Sequence, residues 1–299
     1  MISQAFKPVD AQETWAVIIL NWNTASKAVD CALSVDNASD LCPPLSLVKI
    51  IVDNNSERSD QKVLEQGIAH ANKWQVTWAS KNLGFAGGMN AGLQAINHET
   101  CDRVLFLNSD ISLHEKFLAS LYSHTQNHPQ DTITGVQIRH ARGGALEVLG
   151  GYQYFAWLGV SKRVTTKRQE IDYPTGAAFL CKSSFLLETN GIPTQNFLYF
   201  EELNLVGRLG ENQTLGCCPE AIAWHAGGAS TALILGNVSK HYYAAIACFR
   251  YTFVANKLQL PTVVLVRLVY LSLRSAWDRS LVPMAGGVRA FRDFWKEVL

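Results

Sequence analysis

The sequence contains no C-x-x-C pair, and its seven cysteines, at 31, 42, 101, 181, 217, 218 and 248, are odd in number. That argues against a zinc site or a disulfide framework and for reduced, mostly buried thiols. The opening stretch MISQAFKPVDAQETW has no apolar run of the signal-peptide kind, so a cytosolic chain is expected. Neither sign of charge dominates: the net charge is +1, and nothing calls for a nucleic-acid partner. The common catalytic signatures are missing as well. No G-x-G-x-x-G follows the first apolar run, and there is no Gly-Lys-Ser/Thr, no G-x-S-x-G and no H-E-x-x-H. Dinucleotide dehydrogenases, phosphate-loop enzymes, common serine hydrolases and zinc proteases are therefore disfavoured.

What is present is a folded chain of 299 residues, 48% hydrophobic and 17% charged, with room for one large domain and an appendage. WAVIIL, LVKIIVDNNS, WQVTWAS and RVLFLNSD read as four strands. Helix-compatible stretches lie between them, the third opened by the Gly-rich KNLGFAGGMNAGLQAI. Such alternation predicts a mostly parallel sheet with helices on both faces, whose ligands bind outside the carboxyl ends of the strands. Asn23, Asp53, Asn82 and Asp110 each fall just past a strand end. Asn108-Ser109-Asp110 alone reads equally as a turn; four polar strand ends on one rim read as a site. Residues 114–170 show no clear pattern and are expected to form irregular strands and a surface loop. FLYFEELNLVGRLGENQ suits a helix with Glu201 and Glu202 in its first turn, and EAIAWHAGGAS places His225 after a short strand. One strong carboxylate, a later carboxylate pair and a histidine suit a hard divalent cation on an anionic diphosphate.

VIILNWN, IIVDNNS, NLGFAGGMNAGL, VLFLNSDISL, TGAAFLCKSSF, FLYFEELNL and AWHAGGAS together resemble family 2 glycosyltransferases in order and spacing, over about residues 14–230. The likeness is greatest to the bacterial rhamnosyltransferase branch that builds surface polysaccharides such as O-antigen. It implies a GT-A fold, a nucleotide-sugar donor (dTDP- or UDP-linked, dTDP-rhamnose first), a divalent cation (Mg²⁺ or Mn²⁺) and inversion at the anomeric carbon. It also implies roles. Asn108-Ser109-Asp110 matches the D-x-D-type motif, Asp110 holding the metal and Asn108 facing the ribose or the metal's water shell. Asp53 meets the pyrimidine; Asn23, Asn82, Gly84 and Gly87 line the nucleotide; His225 lies near metal and diphosphate. The family's acid segment is E-D-x-D, whereas this chain has Glu201-Glu202-Leu203-Asn204. Glu202 then takes the place of the usual Asp base, beside Glu201 on the acceptor side. That departure keeps a second reading open, a degenerate homologue that binds glycan or scaffolds a complex. A nucleotidyltransferase is a more distant rival, disfavoured by the lack of a basic Gly-rich loop after the first strand.

Residues 1–238 are expected to form the catalytic domain and 239–299 a basic, amphipathic helical segment. From Lys240 onward there are nine Lys/Arg against three Asp/Glu. Breaks are expected at Pro261 and around Pro283–Gly287, and the apolar stretch Thr262–Leu273 is too short to span a bilayer. Arg, Trp and Tyr among Leu and Val suit a helix lying in a membrane interface, placing the protein peripherally on the inner face of the cell membrane. The alternative is a helix pair packed on the catalytic domain or across a homodimer. The acceptor class is a glycan or lipid-linked saccharide.

Overall fold

The structure, a computed structural model, describes residues 13–42, 44–69, 71, 73–226 and 237–299. The first twelve residues, and 227–230 of AWHAGGAS, lie outside that set. Four strands make the parallel half of the sheet: β1 (Glu13–Asn21), β2 (Leu45–Asp53), β3 (Gln75–Trp78) and β4 (Arg103–Asn108), in the order β3-β2-β1-β4. β1, β2 and β4 are largely apolar because both faces are covered, while the edge strand β3 is partly exposed. Trp15, Val17 and Ile19 of β1 enter one core with helix α1 (Ala25–Asp40), while Ala16 and Ile18 enter a second core on the other face. Helix α2 (Arg58–Ile68) flanks the first core through its buried Leu64, and α3 (Gly84–Leu93) covers the second through Ala86 and Met89.

Past β4 the sheet becomes mixed. Strand β5 (Ile111–Leu113) and helix α4 (Phe117–Asn127) lead into β6 (Asp131–His140) and β7 (Leu146–Phe155), so 114–170 is more regular than its composition suggested. Short β8 (Val160–Arg163) and β9 (Tyr173–Pro174) pair with β7; β10 (Ala178–Lys182) runs antiparallel between β4 and β6. Helices α5 (Ser183–Glu188) and α6 (Glu201–Val206) precede β11 (Thr214–His225), which lies parallel to β6 and antiparallel to β5. All seven cysteines are free thiols, six of them buried.

Three helices complete the described chain: α7 (Asn237–Ala255), α8 (Leu260–Trp277) and α9 (Val282–Val298). The breaks differ from those expected. Pro261 and Pro283 each sit in the first turn of a helix, where the missing N–H would have been unpaired anyway. The chain turns instead at Asn256, whose side chain accepts from Leu258 N at 3.0 Å, and near Ser280. Gly286 and Gly287 lie inside α9, packed on α7 and on Leu271. The helical stretch Lys257–Trp277 therefore runs to 21 residues with mean hydropathy 1.2, long and apolar enough to cross a bilayer by length and composition.

Ala245, Phe249, Val263 and Phe294 give the three helices a core of their own. They also grip the sheet domain. Phe197 stacks on Tyr243 at 4.9 Å, Tyr154 meets Tyr251 edge-on, and Gly159 O accepts from Arg267 Nη2 at 3.1 Å. Gly159 has φ +62°, and a Cβ there would come within 2.6 Å of Val263 and 2.8 Å of Cys248, so the β7–β8 turn requires glycine.

Candidate active site

The parallel register sets Asn21 beside Asp53, Asp53 beside Trp78 and Leu20 beside Asn108, so the strand ends form one rim. Asp53 lies behind that rim. It is fully buried, with Oδ1 accepting from Asn21 Nδ2 (3.0 Å) and Oδ2 from Ser56 N (3.0 Å) and Gln61 Nε2 (3.1 Å). Asp53, expected to meet the donor's base, thus has its carboxylate engaged by three donors within the protein. Asn23, at φ +53°, accepts from Glu57 N at 2.7 Å and steadies the start of α2. Asn82 Oδ1 accepts from Asn54 Nδ2 and Gly84 N, at 3.0 and 2.9 Å.

The glycines of NLGFAGGMNAGL answer to packing. Gly84 has φ +72°, its Cβ would overlap the Phe197 carbonyl oxygen, and the next N–H donates to that oxygen at 3.0 Å. This backbone clamp ties the glycine loop to the segment leading into the acid pair. Gly84, expected to line the nucleotide, turns its Cα face to the Phe197 carbonyl. A Cβ on Gly87 would press on Leu83, and side chains at Gly88 and Gly92 would drive α3 off Leu20, Ile18 and Val52.

Beyond β4 the expected residues converge. Asn108, Glu201, Glu202 and His225 line a cavity of about 610 Å³; Asn23, Asp53, Asn82, Gly84 and Gly87 do not. Asp110, buried at the turn after β4, has its Oδ1 3.4 Å from His225 Nε2. The other ring nitrogen lies 3.0 Å from Glu147 Oε2, and Arg163 lies 3.3 Å from the second oxygen of Glu147. Burial raises Asp110 and lowers His225, but their mutual contact outweighs it: the carboxyl stays below its ordinary value and the imidazole, helped by Glu147, above. No sequence signal marked Glu147. It sits near the start of β7, in the segment that resisted reading, 78 residues from its partner.

Among the described residues no group of three or more His, Cys, Asp or Glu side chains is arranged to hold a metal ion. The donor set nevertheless fits a divalent cation shared with a diphosphate. A hard carboxylate oxygen and an imidazole nitrogen converge, and the far imidazole nitrogen is held by a carboxylate, the usual support of a ligating histidine.

The acid pair opens α6 after two consecutive left-handed residues, Tyr199 (φ +74°) and Phe200 (φ +69°). Such backbone is costly away from glycine and is held by its surroundings. Asn204 supplies part of that hold, since its Nδ2 and its backbone N both donate to the Phe200 carbonyl, at 2.6 and 2.9 Å. A carboxylate at 204 would set oxygen against oxygen, which explains Asn where the family pattern has Asp. Glu202 reaches over Gly176, whose missing Cβ leaves the space its Oε1 fills. Burial pushes Glu202 from the ordinary 4.5 up to about 7, against the pull of its own backbone N–H. Burial, then the nearby Glu202, hold Glu201 well above the usual range, and its Oε1 is buried without a hydrogen-bond partner among the described residues. A carboxyl group held near neutrality in a cavity wall is suited to take a proton from a hydroxyl. The far wall comes from Tyr152 and Tyr173, stacked at 5.3 Å, and from Arg267 and Tyr270 of α8, none of them foreseen.

The sequence model of glycosyl transferase family 2 matches residues 16–187, more than half of the chain. The chain belongs to that family. Solved structures share the fold of this family 2 member. S. aureus TarS superposes with a TM-score of 0.56 at 12% identity, over 86% of this chain and 43% of that one. TarS 1-349 with UDP-GlcNAc gives 0.56 at 12% identity, over 94% and 80%. The mannosyltransferase PcManGT from Pyrobaculum calidifontis, solved with GDP-Man and Mn²⁺, gives 0.58 at 12% identity, over 97% and 90%. The chain spans less than half the length of the first of these. At such identity the likeness is one of fold, and the GT-A expectation holds. No curated protein matches the chain in sequence.

Proposed function

We propose that the chain moves a sugar from a nucleotide diphospho-sugar to a hydroxyl of a glycan or lipid-linked saccharide, with inversion at the anomeric carbon. The observation that carries this reading is Glu202: a carboxylate at about 7, set in the wall of a cavity that also holds Asn108 and His225. Its Oε1 takes the acceptor's proton as the hydroxyl oxygen bonds to the anomeric carbon. The bond from that carbon to the diphosphate oxygen breaks in line, and the nucleoside diphosphate leaves with the electron pair. Asp110 and His225 are the residues that would hold a divalent cation, which supplies charge neutralisation for the departing diphosphate. Asn108 faces the donor, and Asp53, Asn23 and Asn82 keep the rim in shape around it. Family membership and the bound nucleotide sugars of TarS and PcManGT support the donor class; dTDP-rhamnose is the first donor to test.

The reading extends to the tail. Leu258, Leu265, Val269, Leu273 and Trp277 follow one another at helical spacing and are 50–83% exposed, an apolar stripe beside basic side chains. We infer that this face lies in the interface of an anionic membrane. Val263, Leu271 and Ser275, buried on the opposite side of α8, favour lying in the plane over crossing it.

The donor reading is tested by thermal shift across a nucleotide-sugar panel with and without Mn²⁺. One pyrimidine nucleotide sugar should raise the melting point, more with Mn²⁺, and Asp110→Asn should remove the metal increment because an amide is a weaker ligand for a hard cation. A metal increment that survives Asp110→Asn would place the cation elsewhere.

A further inference from the structure

A second cavity, also of about 610 Å³, adjoins the first, and Tyr199, Ala244, Arg267 and Tyr270 line both. Its remaining wall comes from the helical tail and carries the cations Lys240 of α7 and Arg274 of α8, beside His241 of α7, with Arg267 at the junction. Asp278 is the carboxylate in that lining, and it accepts from Arg274 Nε at 2.7 Å, leaving the terminal guanidinium nitrogens with further donors. Arg267 is anchored by its bond to Gly159 O, which fixes its guanidinium at the passage between the two cavities. The positive field is felt locally. Burial first, then Lys240, Arg274 and Arg267, push the His241 imidazole below its ordinary value, with Asp278 opposing.

A lysine point charge and two arginine forks converging on a concave, partly shielded space are the chemistry that recognises phosphate oxygens. In the function proposed above the donor's diphosphate is met at Asp110 and His225, and neither residue lines this second cavity. A second anion site opening on the acceptor side therefore belongs to the acceptor. We propose that this cavity is an anion subsite holding a phosphate or diphosphate that the acceptor carries next to the sugar being extended. The proposal rests on the glycosyl-transfer reading above. The exposed apolar stripe shares α8 with Arg267 and Arg274, so a lipid-borne diphosphate and a soluble sugar phosphate both supply the required chemistry.

The test is isothermal titration of inorganic pyrophosphate into the full chain with chelator present, which silences metal-dependent binding on the donor side. Wild type and Asp110→Asn should bind alike. Lys240→Gln/Arg274→Gln should bind ~10-fold more weakly or worse, the loss expected for hydrogen bonds to charged groups. Both positions are exposed, and an unchanged melting curve confirms that the double variant folds. Equal affinity in the double variant, or loss in Asp110→Asn, overturns the proposal. Competition separates the sources. Displacement by phosphatidylcholine vesicles carrying geranylgeranyl diphosphate, but not by plain phosphatidylcholine, supports a lipid-borne acceptor. Displacement by glucose 1-phosphate alone supports a soluble one, and failure of both removes the acceptor role. The donor panel reads the transferase reading separately: pyrophosphate binding governed by Lys240 and Arg274 without any nucleotide-sugar response would sink that reading and leave the anion site.

Discussion

Glu202 has a longer arm than the aspartate usual at its position, and the chain accommodates it through a neighbour. Gly176 is that neighbour, since any Cβ there would overlap Glu202 Oε1. Gly176→Ala should therefore displace the carboxylate and lower turnover ~10-fold or more, with donor affinity by thermal shift unchanged; unaltered kcat would mean that the carboxylate can work from another rotamer. The acid pair was legible as a pair, because two adjacent glutamates opening a helix are visible in any reading. Its supports were not. Asn204 looked like a lost aspartate until its amide was found donating to Phe200 O, and Glu147 carries no motif because His225 reaches it only across the sheet. Asp53 shows a different limit. Its strand-end place was legible, whereas the partners that engage its carboxylate, Asn21, Ser56 and Gln61, were not.

Among elements, the decisive contact joins the loop before α3 to the segment before α6. Gly84 and Phe197 meet backbone to backbone, so the donor-side rim and the acid pair are held by one clamp. Gly84→Ala combines a left-handed φ with a steric overlap. It should cost about 2–4 kcal/mol of stability in urea unfolding and lower turnover as the acid segment loosens. A cost below 1 kcal/mol would mean that the clamp yields. The parallel half of the fold was readable because strands covered on both faces are continuous apolar runs bounded by turn residues. The mixed half was not, because β10 and β11 pair with β4 and β6 across long separations and their register depends on partners no local pattern reveals. The tail breaks were misplaced for a simpler reason: proline stops a helix from inside but starts one well.

At the scale of the molecule, the helical tail is a cavity wall on one side and an exposed apolar face on the other. Its inner side closes the reaction cavity with Arg267 and Tyr270, while its outer side exposes Leu265, Leu273 and Trp277. The chain should co-sediment with phosphatidylglycerol vesicles, less so in high salt, because each basic side chain near such a surface contributes about 1 kcal/mol of screened attraction. Leu273→Glu/Trp277→Glu should abolish sedimentation without shifting donor affinity; a wild-type chain that ignores anionic vesicles at low salt would make this face a contact between protein molecules. The central claim, transfer driven by Glu202, is tested most directly by the pH dependence of nucleoside diphosphate release in wild type and Glu202→Gln, with the donor identified by thermal shift and a lipid-linked saccharide acceptor. The carboxylate must lose its proton to act as base, so the wild-type rate should rise with pH through about 7. Glu202→Gln should fall at least ~10²-fold and lose that rise while binding donor normally. A Glu202→Gln enzyme with the wild-type rate and the same pH profile would contradict the account.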